Sequence, residues 1–190
     1  MIFEPFRPFL PCAFQVKFAT ATWEKRGAAR LRREVFCEEQ GLFAGDDRDA
    51  IDEVATPIVA VSMLGVVPDD VVGTVRIHEE APGTWWGSRL AVAQDYRKVG
   101  ALGPALIRLA VSSAHARGCT RFLAHVQSQN GLLFRRLHWA VVEEKELHGR
   151  PHLMMEADLR FYPPIGDAET GFQAHARGTP ARPPLPREAA

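Results

Sequence analysis

Along residues 13–19 (AFQVKFA) apolar and polar positions alternate, the two-residue period of a strand with one face buried. The period lengthens after Thr22. Ala28, Leu31 and Val35 recur at helical spacing, and Thr22 can cap a helix whose first turn carries Glu24. An acidic stretch, residues 46–52, separates this helix from the apolar run 57–64 (PIVAVSML), which reads as a strand. Pro68-Asp69-Asp70 predicts a turn and residues 71–79 (VVGTVRIHE) a returning strand. After Ala81-Pro82-Gly83 a third strand spans residues 84–92 (TWWGSRLAV). Leu102, Leu106, Leu109 and Ala110 then mark one face of a long helix, with Gly118 just past its end. Residues 121–127 (RFLAHVQ) form a strand too apolar for a sheet edge, and Asn130 caps a short helix through Leu137. Residues 141–147 and 153–159 close the pattern as two strands. This order predicts an α/β (α+β) fold, a mixed sheet with helices on its faces.

A chain of 190 residues, 46% of them apolar, has the length and composition of one globular domain with loose ends. The patterned region places that domain at residues 13–162, after an extension of residues 1–12. Beyond Tyr162 aliphatic residues thin out while prolines gather, so residues 163–190 read as a Pro-rich extended tail. Its RPPLP segment reads as solvated or loosely docked, or as a polyproline ligand for a partner. Lys plus Arg balances Asp plus Glu at 23 each, so no whole-molecule field gathers nucleic acid or an anionic membrane. No stretch approaches the ~18 apolar residues of a membrane span, and the N-terminus lacks the pattern of a signal peptide. Cys12, Cys37 and Cys119 are odd in number, far apart and without a C-x-x-C pair, which fits a reducing, cytoplasmic setting. Seven scattered histidines give no metal-ligand spacing, so no metal is expected.

The chemistry-bearing segment is Tyr96-Arg97-Lys98-Val99-Gly100-Ala101-Leu102-Gly103-Pro104-Ala105-Leu106, between an apolar strand and the long helix. A glycine-containing strand-to-helix loop presents several N–H groups beside a helix N-terminus, which suits a diphosphate. Arg97 and Lys98 add positive charge. Pro104 fits the first helical position, which makes Gly103 the cap and leaves the N–H groups of Ala105 and Leu106 free for an anion. An ordinary glycine-capped helix start would look the same.

The loop, following Leu90-Ala91-Val92, resembles the R/Q-x-x-G-x-G/A pyrophosphate loop of the GNAT acetyltransferases. Asn130 and Phe134, before Leu137-His138-Trp139, resemble that family's N-x-x-x-Y/F…L-G-F segment. Residues 33–40 (REVFCEEQ), 46–52 and 149–154 (GRPHLM) are similar to segments of the ElaA-like, nitrogen-starvation-associated subgroup. The acidic loop followed by Arg76 also resembles the acyl-homoserine-lactone synthases. The resemblance implies a GNAT fold over about residues 13–160, mostly antiparallel, with strands 84–92 and 121–127 splayed to admit pantetheine. It implies acetyl-CoA, or CoA, as acyl-donor co-substrate, contacted by Leu90, Ala91, Val92, Arg97, Lys98, Val99, Gly100, Ala101, Leu102, Gly103, Asn130 and Phe134. Two departures stand out. Leu102 occupies the position of the second glycine or alanine, and Phe134 that of the tyrosine many members use as general acid.

Acyl transfer from a thioester needs a neutral amine, a place for the developing oxyanion and a thiolate leaving group. The resemblance implies an oxyanion contact from backbone N–H near Ala91 or Val92, and it puts Trp86 where members place a glutamate base. Replacement bases are His152, His78, Glu79 and Glu39, each also readable as an ordinary polar surface group. Arg76 can pair with Asp49 or Asp52, structurally or toward substrate. Trp85 and Trp86 wall the acceptor pocket or pack in the core. Asp46, Asp47, Asp49, Asp52 and Glu53 draw a cationic acceptor or cap and solvate a loop. The leading expectation is an N-acetyltransferase acting on the primary amine of a small molecule, a cationic acceptor being one option, with no nucleic-acid or membrane partner and with a homodimer left open. The alternatives are an acyl-homoserine-lactone-type synthase using S-adenosylmethionine and a non-catalytic CoA-binding sensor module.

Overall fold

One eight-stranded sheet organises residues 10–176, the part of the chain that the computed structural model describes. Its strands are β1 (Ala13–Phe18), β2 (Thr56–Leu64), β3 (Val67–Ala81), β4 (Thr84–Val92), β5 (Arg121–Gln127), β6 (Trp139–Leu147), β7 (Arg150–Ala157) and β8 (Phe172–His175). They lie in the order β6-β7-β5-β4-β3-β2-β1-β8, antiparallel throughout except for the parallel pair β4 and β5. A parallel pair needs a long crossover, which α2 (Leu102–Ala116) supplies. The other α-helices are α1 (Thr22–Arg33) and α3 (Gly131–Arg136).

Strand alternation assigns the two faces. Ile58, Ala60, Val75 and Ile77 pack in one cluster with Leu106, Leu109 and Ala110 of α2. Val59, Val61 and Val71, on the opposite face, pack with Ala28 of α1. Gly73 lets α2 approach closely, because a Cβ there would meet Leu106 Cδ1 at 2.8 Å. Burying each such leucine or isoleucine side chain contributes roughly 1.5–3 kcal/mol.

The start of α1 differs in detail from the expectation. Ala21, not Thr22, is the cap residue, and Glu24 supplies the missing acceptor, taking hydrogen bonds from Thr20 N (2.8 Å), Ala21 N (2.9 Å) and Lys17 Nζ (2.8 Å). Burial opposes charge on Glu24, but the Lys17 bond and the backbone N–H groups outweigh it and hold the carboxyl below its ordinary range. Asn130 does stand at the cap of α3, without a side-chain capping bond.

Two other expectations are corrected. Pro68-Asp69-Asp70 lies inside β3, and the chain reverses earlier, at Gly65-Val66, where Gly65 takes φ +65°. Asp69 and Asp70 hold the strand by pairing across it with Ser62, whose hydroxyl donates to Asp69 Oδ2 and accepts from Asp70 N. The domain also runs past residue 162. Tyr162 and Ala168 are buried, Ile165 N donates to Ser112 O, and β8 pairs with β1. Prolines suggest a tail here, but β1 has an open edge whose N–H and C=O groups need partners. At its end Ala176 N donates to Cys12 O at 2.8 Å. The RPPLP segment lies outside the described residues.

Candidate active site

β4 and β5 pair only from Thr84 and Arg121 to Gly87 and Ala124. Beyond that point β4 keeps β3 alone and β5 keeps β7 alone. A bulge assists the parting. Thr74 faces Ala91 while Arg76 faces Ser88, so β4 carries an extra residue at Arg89-Leu90, with Arg89 at φ +56°. A cavity of about 390 Å³ opens in the gap. Its lining comes from both faces of the sheet: His78, Trp86, His125 and His152 on the α1 side, and Ile107, Val111, Phe122 and Phe134 on the α2 side. The cavity therefore passes through the sheet.

On the α1 side the histidines differ in environment. His152 is 8% exposed, and its Nδ1 lies 2.9 Å from Arg150 O. A carbonyl only accepts, so Nδ1 is the protonated nitrogen of the neutral ring, and Nε2 is the nitrogen left to face the cavity chemistry. His78 has a buried Nδ1 without a partner among the described residues, and burial together with Arg76 lowers its pKa. Burial, Lys145 and His152 lower that of His125, whose ring packs 4.9 Å from Trp86. Both are held neutral at pH 7.

Behind them lies a network of three arginines and three aspartates. Arg76, 3% exposed, donates to Ser88 Oγ (2.9 Å), both oxygens of Asp49 (2.7 Å each) and Asp52 (2.7 Å). Arg32 bonds Asp47 (2.8 Å) and Asp52, and Arg89 bonds Asp47 (2.9 Å) and Asp49 (3.1 Å). Burial pushes the Asp52 pKa up, but the hydrogen bonds from Arg32 and Arg76 outweigh it and hold the carboxyl well below its ordinary range. Of the two readings of the acidic loop, attraction of a cation is corrected for Asp47, Asp49 and Asp52, whose charges are matched by arginines, while capping holds for Asp49, which caps the 3₁₀ turn Ala50–Glu53 by accepting from Ile51 N at 3.0 Å.

α1 continues into a π-helical turn, Glu34–Glu39, in which Gln40 N reaches Val35 O at 3.1 Å. The wider turn sends Phe36 toward the cavity and Glu39 toward Arg97, 2.6 Å away. Gln40 then straps the gap, accepting from Gln127 Nε2 (2.9 Å) through its side chain and from Arg150 (2.8 Å) through its carbonyl.

The β4–α2 loop begins with a 3₁₀ turn, Gln94–Val99, and turns at Gly100 with φ +70°. The expected helix start is corrected. Leu102 is buried at 1% exposure and is already helical, Ala101 is the cap residue, and Ala105 N donates to Ala101 O. The N–H groups left without an intrahelical acceptor belong to Leu102 and Gly103, because Pro104 has none and Ala105 is engaged. Arg97 is committed to Val92 O (2.9 Å) and Glu39.

Of the sequence-predicted residues, His152, His78, Arg76, Leu90, Asn130 and Phe134 line the cavity. Glu39, Ala91, Val92 and the loop from Arg97 through Lys98, Val99, Gly100, Ala101 and Leu102 to Gly103 do not. Trp85 is core and Trp86 is wall, as alternation along β4 requires. His125 and Arg89 also line the cavity, although no motif marks them; the only available signal is the shared strand face of His125 and Gln127. Neither Tyr96 nor Tyr162 reaches the cavity: the Tyr162 hydroxyl accepts from Trp139 Nε1 (2.9 Å) and donates to Leu137 O (2.6 Å). A second hollow, of about 400 Å³, lies against Pro104, Ala105, Arg108, Arg136 and Phe172. Among the described residues no helix is long and apolar enough to cross a membrane.

A sheet splayed beside a bulge, with a glycine turn leading into the crossover helix, defines a class of acyl-transfer enzymes. The sequence pattern of the Acetyltransferase (GNAT) family matches residues 24–138, and the chain belongs to that family. A Bacillus subtilis protein described as an acetyltransferase is 28% identical over 141 residues, covering 74% of this chain and 93% of that one. The crystal structure of Escherichia coli ElaA superposes with a TM-score of 0.63 at 20% identity, covering 76% of this chain and 98% of that one. A CoA-dependent acyl-homoserine lactone synthase, BjaI, solved with SAM and isopentyl-CoA, superposes at 0.61 and 16% identity, covering 78% and 86%. At these identities the two structures share the fold with this chain.

Proposed function

We propose that this GNAT acetyltransferase transfers the acetyl group of acetyl-CoA directly to a primary amine, with His152 as the base. The observation that carries the reading is the cavity through the sheet, which holds on its α1 side an imidazole whose Nδ1 is engaged by the Arg150 carbonyl and whose Nε2 has no protein partner among the described residues. The opposite side fits the donor. It offers an apolar passage past Ile107, Val111 and Phe134, and the N–H groups of Leu102 and Gly103 with Lys98 stand ready for a diphosphate at the α2 N-terminus. Arg108 and Arg136 in the second hollow extend the positive charge beyond it. Bound acetyl-CoA supplies the thioester carbonyl.

An alkyl ammonium has a pKa of about 10, so it must lose a proton before it attacks. His152 Nε2 takes that proton, while the Arg150 carbonyl fixes the ring tautomer. The oxyanion contact expected near Ala91 or Val92 moves to the bulge, because those two residues are paired with β3 and lie outside the cavity lining. The backbone N–H groups of Arg89 and Leu90, which have no partner position on β3 or β5, receive the developing oxyanion. Phe134 serves as a wall, and the thiolate leaves without a phenol donor.

Calorimetry with CoA and acetyl-CoA, followed by thiol release across an amine panel, tests this. Binding with amine-dependent release is expected. Absence of binding at millimolar CoA removes the reading. Binding without release from any amine favours a CoA-sensing module, consistent with the missing phenol, and release only with S-adenosylmethionine and a longer acyl donor favours a lactone-type synthase.

A further inference from the structure

The α1 side of the cavity, where the proposed function places the acceptor, has an unusual balance of charge. Two cations stand in its wall, Arg76 and Arg89, and each is held by two aspartates. The guanidinium of Arg89 is further covered by the Phe43 ring, 4.5 Å from its carbon. Asp49 is equally committed: Oδ1 accepts from Arg76 and Ile51 N, and Oδ2 accepts from Arg76 and Arg89. Among the lining residues no arginine or lysine is left for an acceptor carboxylate; Lys145, which acts on His125 from β6, stands outside that lining. Glu80 is the exception among the wall carboxylates, since its one partner among the described residues is Trp86 Nε1, 2.8 Å from Oε2. The same wall carries three aromatic side chains, Phe36 on the π-helical turn, Phe43 in the loop after it and Trp86 on β4, beside the aliphatic Leu42, Ile51 and Leu147.

We propose, resting on the acetyltransferase reading, that the acceptor is an arylalkylamine: a single amine on an aromatic body, without a carboxylate. Its ring fits among Phe36, Phe43 and Trp86, and its ammonium approaches along Glu80 before His152 deprotonates it. A free amino acid would bring its carboxylate beside Asp49 and Glu80 with no unpaired guanidinium to receive it. A polyamine would place further ammonium groups against aspartates already saturated by arginine and would leave the aromatic wall unfilled.

Acetyl-CoA thiol release is measured with phenethylamine and tryptamine, with phenylalanine and tryptophan as their carboxylate-bearing counterparts, and with butylamine and spermidine. Separately, phenethylamine and phenylalanine are titrated calorimetrically into CoA-saturated protein, which reads binding without turnover. The expected result is a kcat/KM at least tenfold higher for the aryl amines, and calorimetric binding of phenethylamine with none of phenylalanine at the same concentration. Glu80→Gln and Trp86→Ala should each raise KM for phenethylamine several-fold while leaving CoA affinity unchanged. Preference for an amino acid or for spermidine overturns the acceptor class while leaving acetyl transfer standing. Phenethylamine binding without thiol release from any amine upholds the pocket's specificity and removes the catalytic reading instead. Failure of both measurements with the aryl amines overturns the inference.

Discussion

His152 and Phe134 carry the sharpest single-residue expectations. If Nε2 of His152 is the base, His152→Ala should lower kcat by about 10²–10⁴ with little change in CoA affinity. Equal turnover in a folded variant would return the ring to a structural role. Phe134 packs edge-on against Trp139 at 5.1 Å, so Phe134→Tyr keeps the ring contact and adds a hydroxyl toward the gap. Turnover should hold or rise; a several-fold fall at constant CoA affinity would mean that the hydroxyl obstructs the site. His152 is legible in the sequence because a short run around it matches a family pattern. His125 is not, because an isolated histidine on a strand looks the same whether its face meets water or a cavity. Arg76 takes up its structural pairing for a physical reason: a guanidinium at 3% exposure must be paired, and the nearby sequence offers aspartates.

At the scale of elements, the strands within 13–157 and the crossover helix are legible because each is long enough to show its period. β8 is not, since FQAH is four residues in a proline-rich context and becomes a strand by pairing with β1. Truncation after Tyr162 should therefore destabilise the protein, by roughly 2–4 kcal/mol for the lost apolar burial around Ala168 and Phe172. Truncation after Ala176, which retains β8, is the comparison. Chemical denaturation of the two shortened chains, compared at equal CoA concentration, decides this. Gly171→Ala is a finer probe. Gly171 sits at φ +65°, and a Cβ there would collide with the Val16 carbonyl, so this one methyl group should reproduce much of the truncation. The splay is implied by family resemblance alone, and the bulge by nothing in the sequence; periodicity cannot show where two strands part.

For the whole molecule, ionisation ties stability to pH. His78 and His125 have pKa values below the ordinary 6.5, so the unfolded chain binds more protons and stability falls as pH drops below about 6.5 toward their folded values. Asp49, Asp52 and Glu24 have lowered pKa values, so their contribution is present above about pH 4 and fades as pH falls further. Tm against pH should decline in these two stages, and a flat profile from pH 7 to 5 would refute the histidine part. Within the arginine–aspartate network three charges of each sign sum to no net charge.

The hydrogen bond from Ala176 N to Cys12 O brings the two described ends of the chain side by side. Seen that way, residues 12–176 trace a nearly closed ring, and the point at which the ring is cut is free to move. A short linker between those ends, with new termini at the exposed Gly65-Val66 turn, would leave all eight strands with their present neighbours. Such a permuted chain would keep the seam between β4 and β5 intact while making β1, now supplied with β8 as its covalent neighbour, a hairpin partner rather than a strand waiting for the last segment to be synthesised.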